Sequence, residues 1–169
     1  MFQIRPVMQT DYSAIVDILN QVIRSGTQVA FTEEFTVNGR MAWFAEHQSA
    51  AYPLYVAEMD GQVVGWVSLS AYRPGREALK HTVEISYGVS EKHRRNGVGS
   101  AMVTKMLEVG RSLRHRIVFA IIFDNNLASR KLLEKHGFAQ WGHLPEVARL
   151  NGWLLGHDYL GLKLESHNS

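Results

Sequence analysis

The sequence predicts an α/β protein, a mixed sheet with helices on its faces, and three features carry that prediction. The dipeptide Asp60-Gly61 separates two apolar runs in LYVAEMDGQVVGWVSLSAY and marks an antiparallel hairpin, because both residues tolerate the backbone angles of a tight turn. The run IVFAIIF, residues 117–123, is almost wholly apolar, as a strand covered on both faces must be. Around these lie stretches whose apolar residues recur at helical spacing and would bury one side of a helix. Strands and helices in alternation give a sheet that helices cover.

Taken in order, Phe2 to Arg5 reads as a short first strand. Asp11 is suited to cap a helix in which Ile15, Ile18, Leu19, Val22 and Ile23 share a face, with Gly26 at its end. A second helix is expected from about Asn38 and carries Met41, Trp43 and Phe44. After the hairpin, HTVEISYGV alternates, with Val83, Ile85, Tyr87 and Val89 on one face and Glu84 and Ser86 on the other. From Gly97 to about Leu113, Val98, Met102, Val103, Met106, Leu107 and Val109 fit a helix. The central strand over residues 117–123 follows, then a helix from Asn126 through Lys135 ended by Gly137, and final strand material in GWLLGHDYLGLKL. The expected order is strand, two helices, hairpin, strand, helix, strand, helix, strand.

A chain of 169 residues with 46% hydrophobic content supports one sizeable core, so residues 1–169 are expected to form one domain. The absence of cysteine excludes a disulfide framework, a thiol nucleophile and Cys-based zinc sites. The eight histidines are scattered and no His-Glu-x-x-His occurs, so no metal is expected. The formal charge of +2 exerts little pull on nucleic acid, and the basic run Lys92 to Arg95 has no zinc-finger or aromatic-stacking motif beside it. No stretch approaches the roughly 20 apolar residues that span a bilayer, and MFQIRPVMQTD lacks the layout of a signal peptide. The expectation is a soluble, cytoplasmic protein with neither nucleic-acid nor membrane partner.

The stretch SEKHRRNGVGSAMV, residues 90–103, joins a strand to a helix through a basic, glycine-bearing turn. Unpaired N–H groups at the helix start and the helix dipole favour an anion there. Gly97 and Gly99 would let a phosphate approach the backbone, with Arg94 and Arg95 adding charge at the rim. The Lys-Ser/Thr ending of a P-loop is missing, as is the third glycine of a dinucleotide fingerprint. By itself the pattern fits equally a solvated basic turn.

RRNGVG matches the Arg/Gln-x-x-Gly-x-Gly/Ala signature of the GNAT superfamily of N-acetyltransferases, and NLASRKLLEKHGF, residues 126–138, resembles that superfamily's following Asn-containing helix with its Gly-Phe ending. YRPGREALKHTVEIS and the late NGW are similar to the phosphinothricin acetyltransferase branch. The resemblance spans most of the chain. It implies the GNAT fold, a mixed, mostly antiparallel sheet with a splayed central pair and helices on both faces. It also implies acetyl-CoA as co-substrate, in a cleft between the strand ending at Val89 and the one around Ile121. The pantetheine arm would then pair with backbone near Val89 and the pyrophosphate would occupy Arg94, Arg95, Asn96, Gly97, Val98, Gly99 and Ser100. Asn126 and Ser129 match positions that hold the cofactor arm.

Acetyl transfer to an amine requires a base for the ammonium proton, donors for the carbonyl oxygen, and a route for the thiolate to depart. Glu84 matches the Glu of the family's Thr-Val-Glu-x-Ser stretch and is the expected general base. From the residues alone, a strand carboxylate paired with an arginine is the favoured account, and it is the resemblance that reverses the preference. Backbone N–H near Val89 is the expected carbonyl donor. Family members carry tyrosine or histidine where Leu133 stands here, and leucine donates no proton. Tyr87, His81 and His157 are open candidates, beside departure as the free anion. Arg73 and Arg76 fit a forked contact to an acidic acceptor, or are solvated loop residues. Phe31 is expected to wall the acceptor pocket or to join the core. The expected acceptor is an amino acid or analogue, with a protein N-terminus, a lysine side chain, or mere acyl-CoA sensing as alternatives. The family pairs as homodimers, which would cover Trp141, Trp153 and Tyr159.

Overall fold

A computed structural model describes residues 1–164. Seven strands form one sheet in the order β1-β2-β3-β4-β5-β7-β6. The strands are β1 (Phe2–Pro6), β2 (Leu54–Met59), β3 (Gln62–Ala71), β4 (Thr82–Val89), β5 (Ile117–Phe123), β6 (Ala139–Leu150) and β7 (Trp153–Lys163). Helices α1 (Tyr12–Ser25) and α2 (Met41–Glu46) follow β1, while α3 (Val98–Ser112) follows β4 and α4 (Leu127–Lys135) follows β5. Every neighbouring pair is antiparallel except β4 with β5.

The sheet separates two cores. On one face, Val67, Leu69, Val83, Ile85, Val118 and Leu160 meet Val98, Met102, Val103 and Met106 of α3 and Leu133 of α4. On the other, Val56 and Trp66 meet Ile15, Ile18 and Leu19 of α1 and Phe44 of α2. The periodic residues chosen in the sequence for α1 and α3 are buried, except Val109, which is partly buried. Opposed residues of an antiparallel pair share a face, so Tyr87 lies with Val67 towards α3, and Glu84 lies with Ser70 towards α1.

Three expectations are corrected. Asp11 stands at the start of α1 without capping it: its carboxylate instead accepts the Met8 N–H at 2.7 Å and pairs with Arg5 at 2.7 Å, closing the turn before the helix. The second helix opens as a single 3-10 turn, Asn38–Arg40, and becomes α-helical only at Met41. β6 was absent from the expected order. Its residues are mostly exposed and its register slips at Gln140/Gly142 and at Leu144/Ala148, which erases alternation. The Asn151-Gly152 turn, with φ of 50° and 83°, was the available signal for this last hairpin.

Candidate active site

Strands β4 and β5 stay together for three pairs only, Thr82 with Ile117, Val83 with Val118 and Glu84 with Phe119. Beyond Glu84 they part, while β5 remains paired to β7 as far as Phe123. The direction of the unpaired groups follows from two anchors. The His81 carbonyl accepts N–H groups of Arg116 and Ile117 on the β5 side, and the Ser90 N–H donates to Val64 O on the β3 side. Alternation along β4 therefore aims the main-chain groups of Ile85, Tyr87 and Val89 into the gap. Parallel strands followed by helices place both helix starts, at Val98 and Leu127, at the mouth of that gap, where such sheets bind ligands.

The turn from β4 to α3 has the backbone of an anion cradle. Arg95 and Gly97 both adopt left-handed conformations, with φ of 64° and 79°. Nothing lies within 4 Å of the place a Cβ on Gly97 would occupy, so the approach to the first turn of α3 is open. Gly99 has a different reason. A Cβ there would come 3.3 Å from Leu132 and 3.7 Å from Val89, so this glycine lets α3 close on α4. Val98 sends its side chain into the core at 1% exposure and offers the gap only its main chain. The Ser100 hydroxyl is engaged with His136 Nε2 at 2.9 Å. Arg94 bends back, its Nε donating to Val89 O at 3.4 Å, while Arg95 and Asn96 are exposed. The cradle fits a diphosphate through backbone N–H groups more than through side chains.

Across the gap, Asn126 caps α4 by accepting the Ser129 N–H at 3.2 Å. Tyr87 reaches towards this helix start from β4. Its hydroxyl is buried beside Ser129 and makes no hydrogen bond of acceptable geometry, and burial pushes its pKa up. His81 is exposed ahead of β4, and His157 packs at a tilt against Phe123 at 5.2 Å on the far side of β5. Leu133 is completely buried in the core.

Glu84 occupies the apex of the gap on the opposite face. Among the described residues it has no hydrogen-bond or ion-pair partner, so the arginine pairing considered for it is absent; burial raises its pKa above the ordinary carboxylate range. Phe119, opposed to Glu84, gathers Tyr72 at 5.1 Å, Trp141 at 5.4 Å and Tyr159 at 6.3 Å into an aromatic wall. Nothing along the chain announces this wall, because its members come from four separate segments. Arg73 and Arg76 leave β3 just after Tyr72 and are exposed, Arg76 donating to Pro74 O at 3.3 Å. Phe31 lies away from this cluster, between α1 and α2, edge-on to Phe35 at 4.9 Å. A cavity of about 700 Å³ lies at Val7, Met41, Pro53 and Leu113 and contains none of the expected site residues. Among the described residues no three metal-ligating side chains converge, and no helix is long and apolar enough to cross a membrane.

A sheet opened between two parallel strands, with a glycine-bearing turn into a helix on one strand's exit and a half-buried, unpaired carboxylate at the apex, is the arrangement of a group transferase. The chain belongs to the Acetyltransferase (GNAT) family, which it matches over residues 16–138, and it is an acetyl-CoA-dependent N-acetyltransferase. YwnH of Bacillus subtilis, assigned by name to the phosphinothricin acetyltransferases, is 40% identical over 91% of this chain and 94% of its own. The L-methionine sulfoximine/L-methionine sulfone acetyltransferase of Salmonella typhimurium is 27% identical over 97% of this chain and 95% of its own. The structure of YncA from Salmonella typhimurium, solved with its cofactor acetyl-CoA, superposes with a TM-score of 0.91 at 26% identity, covering 99% of this chain and 96% of that one.

Proposed function

We propose that this enzyme acetylates the amino group of a free amino acid or an analogue of the phosphinothricin or methionine sulfoximine type, with Glu84 as general base. The observation that carries the reading is the Glu84 carboxylate, half-buried and without a partner among the described residues where β4 and β5 part. The names of the relatives support the acceptor class.

Acetyl-CoA supplies the acetyl group as an activated thioester. The backbone from Arg94 to Ser100 receives the diphosphate, Gly97 leaving the approach clear, and Asn126, Ser129 and the Val89 main chain guide the arm inward. Glu84 takes a proton from the acceptor's ammonium, directly or through one water, and frees the lone pair that forms the N–C bond; as the C–S bond breaks, the nitrogen releases its second proton to solvent. An α-amino group, with a pKa of about 7.7–8.0, asks less of this base than a lysine amine near 10.4. N–H groups on the gap side of β4 hold the carbonyl oxygen, and the leaving sulfur takes a hydrogen bond from Tyr87 before solvent protonates it. Arg73 and Arg76 border the acceptor's entry. Two copies pair through the β6–β7 hairpin, where Trp141, Leu144, Val147, Trp153 and Leu154 are 43–74% exposed, more apolar surface than a lone hairpin ordinarily shows to water.

The test follows free thiol release from acetyl-CoA across a panel of amino acids, their analogues, peptides and other amines. Amino acids or analogues are expected to outcompete peptides, and Glu84→Gln is expected to lower kcat/KM by about 10²- to 10⁴-fold. Cofactor binding without turnover on any amine, or equal turnover by Glu84→Gln, would refute the assignment.

A further inference from the structure

The segment between α1 and α2 holds a cation that the mechanism above leaves unused. Asn20, buried on α1, clamps Phe35 by donating from Nδ2 to its carbonyl at 2.9 Å and accepting its N–H at Oδ1 at 2.9 Å. Phe35 so fixed takes Phe31 edge-on. The guanidinium carbon of Arg40 then lies 4.8 Å from the centre of the Phe35 ring, 5.6 Å from Phe31 and 4.6 Å from Trp43. Three rings surround one cation.

Ring faces attract a guanidinium but accept no strong hydrogen bond from it. Arg40 Nε is buried and donates to nothing. Among the described residues no carboxylate pairs with Arg40; the one whose charge reaches it is Glu46, farther along the same helix, and burial depresses the basicity of the guanidinium. Two more buried donors on this side of the sheet are idle: Trp66 Nε1, whose ring meets Trp43 at 5.5 Å, and the Ser68 hydroxyl next to it along β3. Among these groups the Arg40 guanidinium is the one full charge left without an acceptor, so its complement is an oxygen-bearing anion.

The cage is continuous with the apex of the gap. Trp43 packs on His47 at 4.5 Å, His47 Nε2 bonds to Ser70 Oγ at 3.1 Å, and Ser70 stands directly opposite Glu84 on the same face. Phe31, 43% exposed, forms the outer rim.

We propose that Arg40 is the anion receptor of the acceptor site: caged by Phe31, Phe35 and Trp43, it takes an acidic oxygen group of the substrate whose nitrogen is presented to Glu84. The inference rests on the amino acid reading given above and narrows it to acceptors that carry an oxyanion, either the α-carboxylate or an acidic side-chain end. The rings exclude water and hold the guanidinium plane, so the anion meets a desolvated, oriented fork.

The experiment compares wild type with Arg40→Met, which keeps the apolar stem, and Arg40→Lys, which keeps a cation against the rings. Acceptors are phosphinothricin, its α-carboxamide, and methionine, each measured by thiol release and, independently of turnover, by quenching of tryptophan fluorescence in the CoA-bound protein. Arg40→Met should raise both KM and Kd for phosphinothricin about 10- to 100-fold, the loss expected for a hydrogen bond to a charged group, with kcat within about threefold and the KM for acetyl-CoA unchanged. The acceptor lacking the oxyanion that Arg40 holds should bind wild type and variant alike: the α-carboxamide if the carboxylate is held, methionine if the side-chain end is. Unchanged KM and Kd for all three in a variant that melts with wild type overturns the proposal. Should Arg40→Met melt lower, Arg40→Lys decides, since loss of the fork alone must still raise the phosphinothricin Kd. Failure of wild type to turn over any amine would instead sink the amino acid reading, and the fluorescence titration would still show whether acidic ligands need Arg40.

Discussion

Replacing Tyr87 by phenylalanine removes one oxygen atom and separates stability from catalysis. The ring stands opposite Val67 and packs against the α3-side core, and phenylalanine keeps that packing. The hydroxyl is buried beside Ser129 without a satisfied hydrogen bond, a condition that costs about 1–3 kcal/mol when unrelieved. The variant should therefore melt at or above the wild-type temperature, by up to a few degrees, since about 1 kcal/mol moves the midpoint of a domain this size by roughly 2–4 °C. Turnover should fall by about 10²- to 10³-fold, the usual consequence of deleting one preorganised donor to a developing anion. The phenol acts by hydrogen bonding and keeps its proton: its pKa lies above the ordinary value of about 10, an alkyl thiol's lies near 8.5, and full transfer would be uphill by about 2 kcal/mol or more. The chain contains no cysteine, so thiolate absorbance in its complex with CoA reports the ligand's sulfur alone. Wild type should lower the thiol pKa of bound CoA, and Tyr87→Phe should return it towards the free value. Wild-type turnover, an unshifted thiol titration, or a loss of stability in the variant would each refute the placement of this hydroxyl at the sulfur.

Gly97→Ala meets no atom within 4 Å but must hold alanine at a φ of 79°, so it should destabilise by roughly 1–2 kcal/mol and raise the KM for acetyl-CoA without changing kcat; an unchanged KM would move the diphosphate away from the start of α3. Burial holds His47, His115 and His136 below the ordinary histidine range, so the unfolded chain binds more protons than the native one below about pH 6.5. Their contribution is complete above that pH and is lost as pH falls through the native values. Glu84, raised instead, acts in the opposite sense, adding stability as pH falls through its raised value towards the ordinary value of about 4.3, one group against three. Calorimetric melts should decline on passing from pH 7.5 to pH 5.5, and a flat profile would contradict the histidine burial.

The sequence alone determined much of what is written in local chemistry, though not the role of Asp11 or the last hairpin turn. Apolar spacing located α1 and α3, Asp60-Gly61 turned the first hairpin with φ of 50° and 75°, and Asn126 capped α4 as its side chain allows. The basic glycine turn likewise set its own backbone, left-handed at Gly97 where α3 begins, since a short loop between strand and helix fixes its own conformation. What required the tertiary structure was every relation between segments distant in the chain. β6 pairs as an edge strand with β7 and shows no alternation, so periodicity missed it. Gly99 read as an opening and proved to be a helix contact, because the deciding atoms belong to Leu132 and Val89. Glu84 gained its half-buried isolation only when β5 parted from β4, and Arg40 became a caged cation only when Asn20 pinned Phe35 beside it. Spacing along a chain specifies turns, caps and faces, whereas desolvation and unmet hydrogen bonds depend on what the rest of the molecule places nearby.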